Sequence, residues 1–187
     1  MRGVGETSSQ ELRSLIAEAV HRAVCDVTEG DGCGQCMLYA AAGWVLAAKV
    51  FGRRYMPQAG KLYVVADPPH GKIAFEQISL ERGEFHCWFA YSRTGQSGPA
   101  EELVDLSARH YRSLVDRTWQ ISESNQSEGY GVYVLADADE RITWTRPDDP
   151  PTFIWGSVWP TDLMWAVPDE AATNAVIRKM TDHKAFY

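Results

Sequence analysis

The chain predicts an α+β fold in which a buried central helix packs against an antiparallel β-sheet. Three observations carry that expectation. Residues Cys36 to Phe51 are apolar on nearly every side, the pattern of a helix enclosed by its own domain. From Leu62 to Leu106 the period changes to short β-prone runs separated by Gly, Pro and Asp turn signals. Helical patterns with polar caps open and close the chain. A length of 187 residues with 45% hydrophobic content buries a core and reads as one domain, 1–187, that folds without staples.

Residues 1–7 read as a flexible leader. Ser8 stands three before Glu11 as a capping box, and Leu12, Leu15, Ile16, Ala19, Val20, Ala23 and Val24 recur at helical spacing, predicting a helix from Ser9 to Cys25. Thr28 to Gly32 is a turn-rich loop. The central helix starts at Cys36 and ends at Gly52, with Arg53 and Arg54 complementing its negative end. Strands are expected at Leu62–Ala66, Ile73–Ile78, Phe85–Tyr91 and Glu102–Leu106. In the third, Phe85, Cys87, Phe89 and Tyr91 alternate against His86, Trp88 and Ala90, so His86 and Cys87 are expected to face different sides. Asp105 shares a face with Leu103, from which its carboxylate reaches His86 if the two strands pair.

Ser107 is the expected N-cap of a short helix at Ala108–Val115, and Ser122–Gly129 a polar loop over a cleft. Strands follow at Gly131–Leu135 and Ile142–Thr145, joined by the turn Asp137–Glu140. A Pro-rich stretch and a Trp-rich run to Trp165 come next, and a last helix begins near Pro168 with Asp169 and Glu170 in its first turn. Seven tryptophans, four of them after residue 140, read first as core filling and second as cleft lining.

A formal charge of −7 and the lack of any basic cluster beyond Arg53-Arg54 argue against a nucleic-acid partner, because phosphate binding needs concentrated positive charge. No apolar run approaches the ~20 residues of a membrane span, and none of signal-peptide length precedes Leu12, so the chain reads as cytoplasmic and bacterial, with reduced thiols. No Walker loop, dinucleotide glycine pattern, Gly-x-Ser-x-Gly elbow or HExxH helix is present, and no cofactor is expected.

The chemistry-bearing residues fall in a particular order. Gly34-Gln35-Cys36 heads the apolar helix, His86-Cys87-Trp88 lies on a strand, and Val104-Asp105 on the next. A thiol attacks a carbonyl only as thiolate, and three devices activate it: a helix start, a paired histidine, and a carboxylate that orients the imidazole. Cys36, His86 and Asp105 fit those roles in turn.

Those three motifs, in type, order and separation, resemble the transglutaminase-like branch of the papain-like cysteine enzymes. That family carries Gly-Gln-Cys at the head of a central helix, His-x-Trp on a strand and a hydrophobic-Asp pair on the next. The resemblance covers about Gly32 to Ser107. It departs from animal transglutaminases in that Met37, not Trp, follows Cys36, and no Trp precedes it. It implies acyl transfer on an amide, with Cys36 as nucleophile, His86 as acid–base and Asp105 orienting His86. Peptidase, amidase, deamidase and transglutaminase-type reactions all stay open, with a peptide, protein or small amide as substrate. The Cys36 N–H is the expected first oxyanion donor. Gln35 is a candidate for the second, and Trp88 for an apolar wall on the substrate side.

Other classes compete for the same residues. Cys33-Gly34-Gln35-Cys36 is also a helix-start CxxC, but a redox fold needs a strand leading into it and Glu29–Gly32 reads as a loop. Cys33, Cys36, His86 and Asp105 form a four-ligand zinc set on paper. A non-catalytic ligand-binding module on the same fold, holding its ligand in the Trp-rich region, is the third alternative. Cys25 is expected in the core, and His21, His70, His110 and His183 in surface roles.

Overall fold

The computed structural model describes residues 9–66, 72–75, 81, 85–93, 102–110, 132–135, 153–155 and 161–182. The expected leader, the 122–129 loop, the 137–140 turn, the 142–145 strand, the Pro-rich stretch, His70 and His183 lie outside them.

Helix α1 (Ser9–Thr28) continues three residues past its expected end at Cys25. In its last turn the Thr28 hydroxyl donates back to the Val24 carbonyl at 2.8 Å. It buries Ile16, Ala17, Val20 and Val24, while Leu15 is 62% exposed, so its apolar stripe is narrower than the sequence suggests. The cause is that α1 packs on the rest of the fold mainly through α2.

Helix α2 (Cys36–Phe51) has the expected bounds. It stops because Gly52 adopts the left-handed conformation at φ 62°, which glycine takes without a side-chain clash, and its N–H closes on the Ala48 carbonyl at 3.0 Å. Burial is one-sided, contrary to the all-round apolar pattern. Tyr39, Ala40, Ala41, Gly43 and Ala47 face inward, whereas Val45 and Val50 are exposed.

The sheet is built around β1 (Tyr55–Ala66), which begins at Tyr55 rather than Leu62. Pro57 and Gly60 weaken the strand signal of its first half. That half pairs antiparallel with β3 (His86–Tyr91), from Tyr55↔Tyr91 to Gly60↔His86. The second half pairs with β2 (Lys72–Phe75) and β7 (Thr161–Pro168). With β4 (Glu102–Val104), β5 (Val132–Leu135) and β6 (Phe153–Trp155), the order is β5-β2-β1-β3-β4-β6, with β7 on β1. The sheet is antiparallel except for β4 and β6, which run parallel. The Trp-rich run therefore supplies two strands the sequence did not announce. Gly60 stands where β1 changes partners, and a Cβ there would lie 2.3 Å from the Val167 carbonyl oxygen.

Strand β4 is shorter than expected. The chain leaves it at Asp105 and turns into a 3-10 segment, Leu106–His110; residues 111–115 of the expected Ala108–Val115 helix lie outside the described residues. Helix α3 (Glu170–Asp182) is capped by Asp169, whose Oδ1 accepts the Ala172 N–H at 2.8 Å, so Asp169 precedes the first turn instead of lying in it.

Two apolar clusters join these layers. One sets α1 and α2 against Tyr55, Phe89, Val104 and Leu106. The other sets Ala40 and Ala41 of α2 against Ala59, Cys87 and the α3 residues Ala172, Val176 and Met180. The protein is thus a mixed α and β domain with helices packed on a curled sheet. No helix among the described residues is long and apolar enough to cross a membrane.

Candidate active site

The head of α2 meets the start of β3. Gly32, at φ 77°, packs against the Tyr39 hydroxyl, and the Gln35 N–H bonds the Gly32 carbonyl at 3.2 Å, so the approach loop is folded back tightly onto the helix. Gln35 occupies the N-cap position without any side-chain cap hydrogen bond. The first-turn N–H groups have no partner within a helix, and the positive end of α2 is left to Cys36. The Gln35 carbonyl is engaged by the Tyr39 N–H at 3.1 Å.

Cys36 is partly buried, with Sγ 3.7 Å from the Phe85 carbonyl oxygen at the entry to β3. The first two residues of that strand, His86 and Cys87, both act on its ionisation. Its thiol is held well below the ordinary range, first by the Cys87 thiol; burial opposes ionisation, and the His86 imidazole then adds a hydrogen bond and its charge. The Cys87 thiol moves the opposite way, upward, through its hydrogen bond to Cys36 and through burial. His86 stacks on Trp88, while Cys87 packs with Phe85 in the cluster against α2 and α3, the division that alternation along β3 predicts; Cys36 stands at the entry to the strand, at the Phe85 carbonyl.

His86 is 6% exposed, and its Nε2 is 2.7 Å from Asp105 Oδ2. That leaves Nδ1 as the ring nitrogen for Cys36. Burial disfavours the imidazolium, but the charge and hydrogen bond of Asp105 and the pairing with Cys36 outweigh it, and the pKa is pushed up to about 10. Asp105, 1% exposed, is itself fixed: its Oδ1 accepts the Ser107 N–H at 3.0 Å and the Ser107 hydroxyl at 2.6 Å. The turn that ends β4 is therefore what aims the carboxylate at His86.

Trp88, expected as a substrate-side wall, is instead 1% exposed. Its ring stacks on His86 at 6.2 Å between centroids and 21° between planes. Its Nε1–H donates to Gln58 Oε1 at 2.9 Å. It backs the imidazole, and Gln58 of β1, which carried no sequence signal, holds it. The register Gln58↔Trp88 places the two directly across the sheet.

The other assignments divide. Among the described residues no group of three or more His, Cys, Asp and Glu is arranged to hold a metal ion, so Cys33, Cys36, His86 and Asp105 do not form a ligand set. All four cysteines are free thiols. Cys25 is only partly buried and contacts the His21 ring at 3.6 Å. His21 and His110, expected in surface roles, both bond the buried Tyr39 hydroxyl, at 2.7 and 3.0 Å, and so join α1, α2 and the 3-10 turn. No protein-family model, curated protein or solved structure matches the chain significantly.

Proposed function

We propose that this protein is a cysteine-dependent acyl-transfer enzyme of the transglutaminase-like, papain-like type, acting on an amide through Cys36, His86 and Asp105. One observation carries the reading: a buried histidine has its Nε2 2.7 Å from a fixed, buried carboxylate and favours the thiolate of a cysteine at an uncapped helix start. Each direction of ionisation suits the chemistry. Cys36 favours the thiolate and His86 the imidazolium, so the resting state is an ion pair ready to attack.

The thiolate attacks the amide carbonyl, and the negative charge that develops on oxygen meets the N–H groups of the first turn of α2. His86 gives its proton to the departing amine, forming a thioester on Cys36. Water or a second amine, deprotonated by His86, then releases the acyl group and restores the thiolate. Water as acceptor yields a peptidase, amidase or deamidase, and an amine yields a transferase. Asp105 holds the ring tautomer and stabilises the imidazolium throughout. Trp88 limits the ring's tilt from behind.

Iodoacetamide labelling mapped by mass spectrometry between about pH 5 and pH 9 tests the reading. Cys36 is expected to react far faster than Cys25 and Cys33 below pH 8. His86→Ala is expected to slow it by on the order of 10-fold or more near neutrality, because the thiolate loses its cationic partner. Equal, slow reaction of Cys36 with the other accessible thiols in the wild type would sink the proposal.

A further inference from the structure

Cys87 is a nucleophilic group that the acyl-transfer scheme does not use. It is 1% exposed, walled by Ala40, Ala41, Ala59, Ala172, Val176 and Met180, and Cys36 packs against the same cluster. The Cys36 sulfur lies 3.7 Å from the carbonyl oxygen of Phe85, two residues before Cys87 in the chain, and each thiol acts on the ionisation of the other. A buried thiol facing a sulfur nucleophile has one reaction partner and no direct route to solvent.

We propose that Cys36 and Cys87 form a reversible disulfide site, with Cys36 as the thiol that reacts with a hydroperoxide and Cys87 as the thiol that resolves it. The inference rests on Cys36 being an activated thiolate, as proposed above. In the first step the Cys36 thiolate attacks the peroxide. A sulfur–oxygen bond forms, the oxygen–oxygen bond breaks, and the hydroxide or alkoxide that leaves takes a proton from His86. Cys36 sulfenic acid results, the sulfur having given two electrons to the peroxide. The Cys87 sulfur then attacks that of Cys36; the sulfur–sulfur bond forms, the sulfur–oxygen bond breaks, and the hydroxide leaves as water with the Cys87 proton. A small dithiol reverses the bridge by exchange, becoming a disulfide as both cysteines return to thiols.

Exposure assigns the roles. Cys36 is partly exposed and Cys87 is buried, which makes Cys36 the sulfur that meets peroxide first, and the lowered Cys36 thiol against the raised Cys87 thiol agrees with that order. Oxidation of Cys36 to the neutral sulfenic acid removes the charge that holds the Cys87 proton in place. Neutral His86, having given up its proton, is then placed beside the pair as a base. Cys33, four residues into the approach loop from Glu29, is the competing partner; its backbone N–H is tied to Asp31 Oδ1 at 2.9 Å.

The full-length reduced protein, treated with roughly one equivalent of hydrogen peroxide, alkylated and digested, is expected to give a Cys36–Cys87 cross-linked peptide. Dithiothreitol should restore most of the Cys36 labelling. In Cys87→Ala, which keeps a small apolar residue in an alanine-lined pocket, Cys36 is expected to proceed to sulfinic acid, with at least about 10-fold less labelling recovered by dithiothreitol. Circular dichroism checks that this variant is folded, and Cys33→Ser, which should still form the bridge, provides a second test independent of it. A Cys33–Cys36 peptide, or equal over-oxidation of wild type and Cys87→Ala, overturns the inference. Fast Cys36 alkylation before peroxide treatment with no bridge after it defeats this inference alone, whereas slow alkylation before treatment defeats the acyl-transfer reading as well.

Discussion

Asp105 shows how much a single side chain does in this site. One oxygen faces His86 and the other receives the Ser107 N–H and hydroxyl, so the carboxylate ends a strand and orients an imidazole at once. Asp105→Asn separates the two roles. The amide keeps an oxygen for Ser107 but replaces the anion facing the ring, so the charge and hydrogen bond that raise His86 to about 10 are lost. The alkaline limit of activity is expected to move down from about 10 toward the ordinary imidazole value of ~6.5. Turnover on an amide substrate should fall on the order of 10³–10⁴-fold, as wrong-tautomer triads do. A pH–rate profile of the variant checks both; an unchanged alkaline limb would remove Asp105 from the site. Cys36, His86 and Asp105 were legible in the sequence because each belongs to a residue type with specific chemistry in a recognisable local motif. Trp88 was misjudged because alternation gives the side of a strand and not the depth behind it. Cys87 carries no motif of its own, and its place in the cluster that Cys36 packs against comes from α2, α3 and the pairing of β3 with β1.

At the scale of elements, the helices were the more readable part, since their hydrogen bonds and caps are local in sequence. Cys36 and Gly52 bound α2 where glycine and apolar periodicity place them. The long β1, by contrast, owes its first half to partners about thirty residues away, which carry Pro57 and Gly60 within an extended strand. The strands β6 and β7 owe their place to β4 and β1, which are distant in sequence, and neither the tryptophan content nor the proline that ends β7 signals that pairing. The packing of α2 on β3 gives a test of how tightly this layer is fitted. A Cβ on Gly43 would stand 2.5 Å from Phe89 Cε1 and 2.9 Å from Leu106 Cδ1. Alanine gains about 1 kcal/mol of helix propensity over glycine, but overpacking of this kind costs about 1–3 kcal/mol, and here both neighbours are buried core side chains. Gly43→Ala is therefore expected to be destabilising in urea unfolding, and a stabilised variant would show that α2 has room to shift away from the sheet.

For the molecule as a whole, the ion pair at the site links stability to pH. His86 has a folded pKa raised from 6.5 to about 10, so its contribution is fully present below 6.5, declines as pH rises, and is gone above about 10. Cys36 has a lowered folded value, so its contribution is present above the ordinary thiol value of 9.0 and lost as pH falls through that lowered value. Between about pH 6.5 and 9 the two contributions offset each other, so the unfolding free energy of the wild type is expected to fall between about pH 9 and pH 10, and more steeply there than that of His86→Gln, which has no such proton to release. Parallel slopes in urea titrations at several pH values would mean that His86 is not held protonated in the folded state.

The Tyr39 hydroxyl adds a constraint of another kind. It has one hydrogen and two imidazole neighbours, His21 and His110, on segments far apart in the chain. At most one ring nitrogen accepts that hydrogen, so at least one of the two must present its own N–H to the phenolic oxygen. The contact between α1, α2 and the 3-10 turn therefore has a polarity, a direction in which its protons point, and the approach to Cys36 is anchored on the residue where that direction is set.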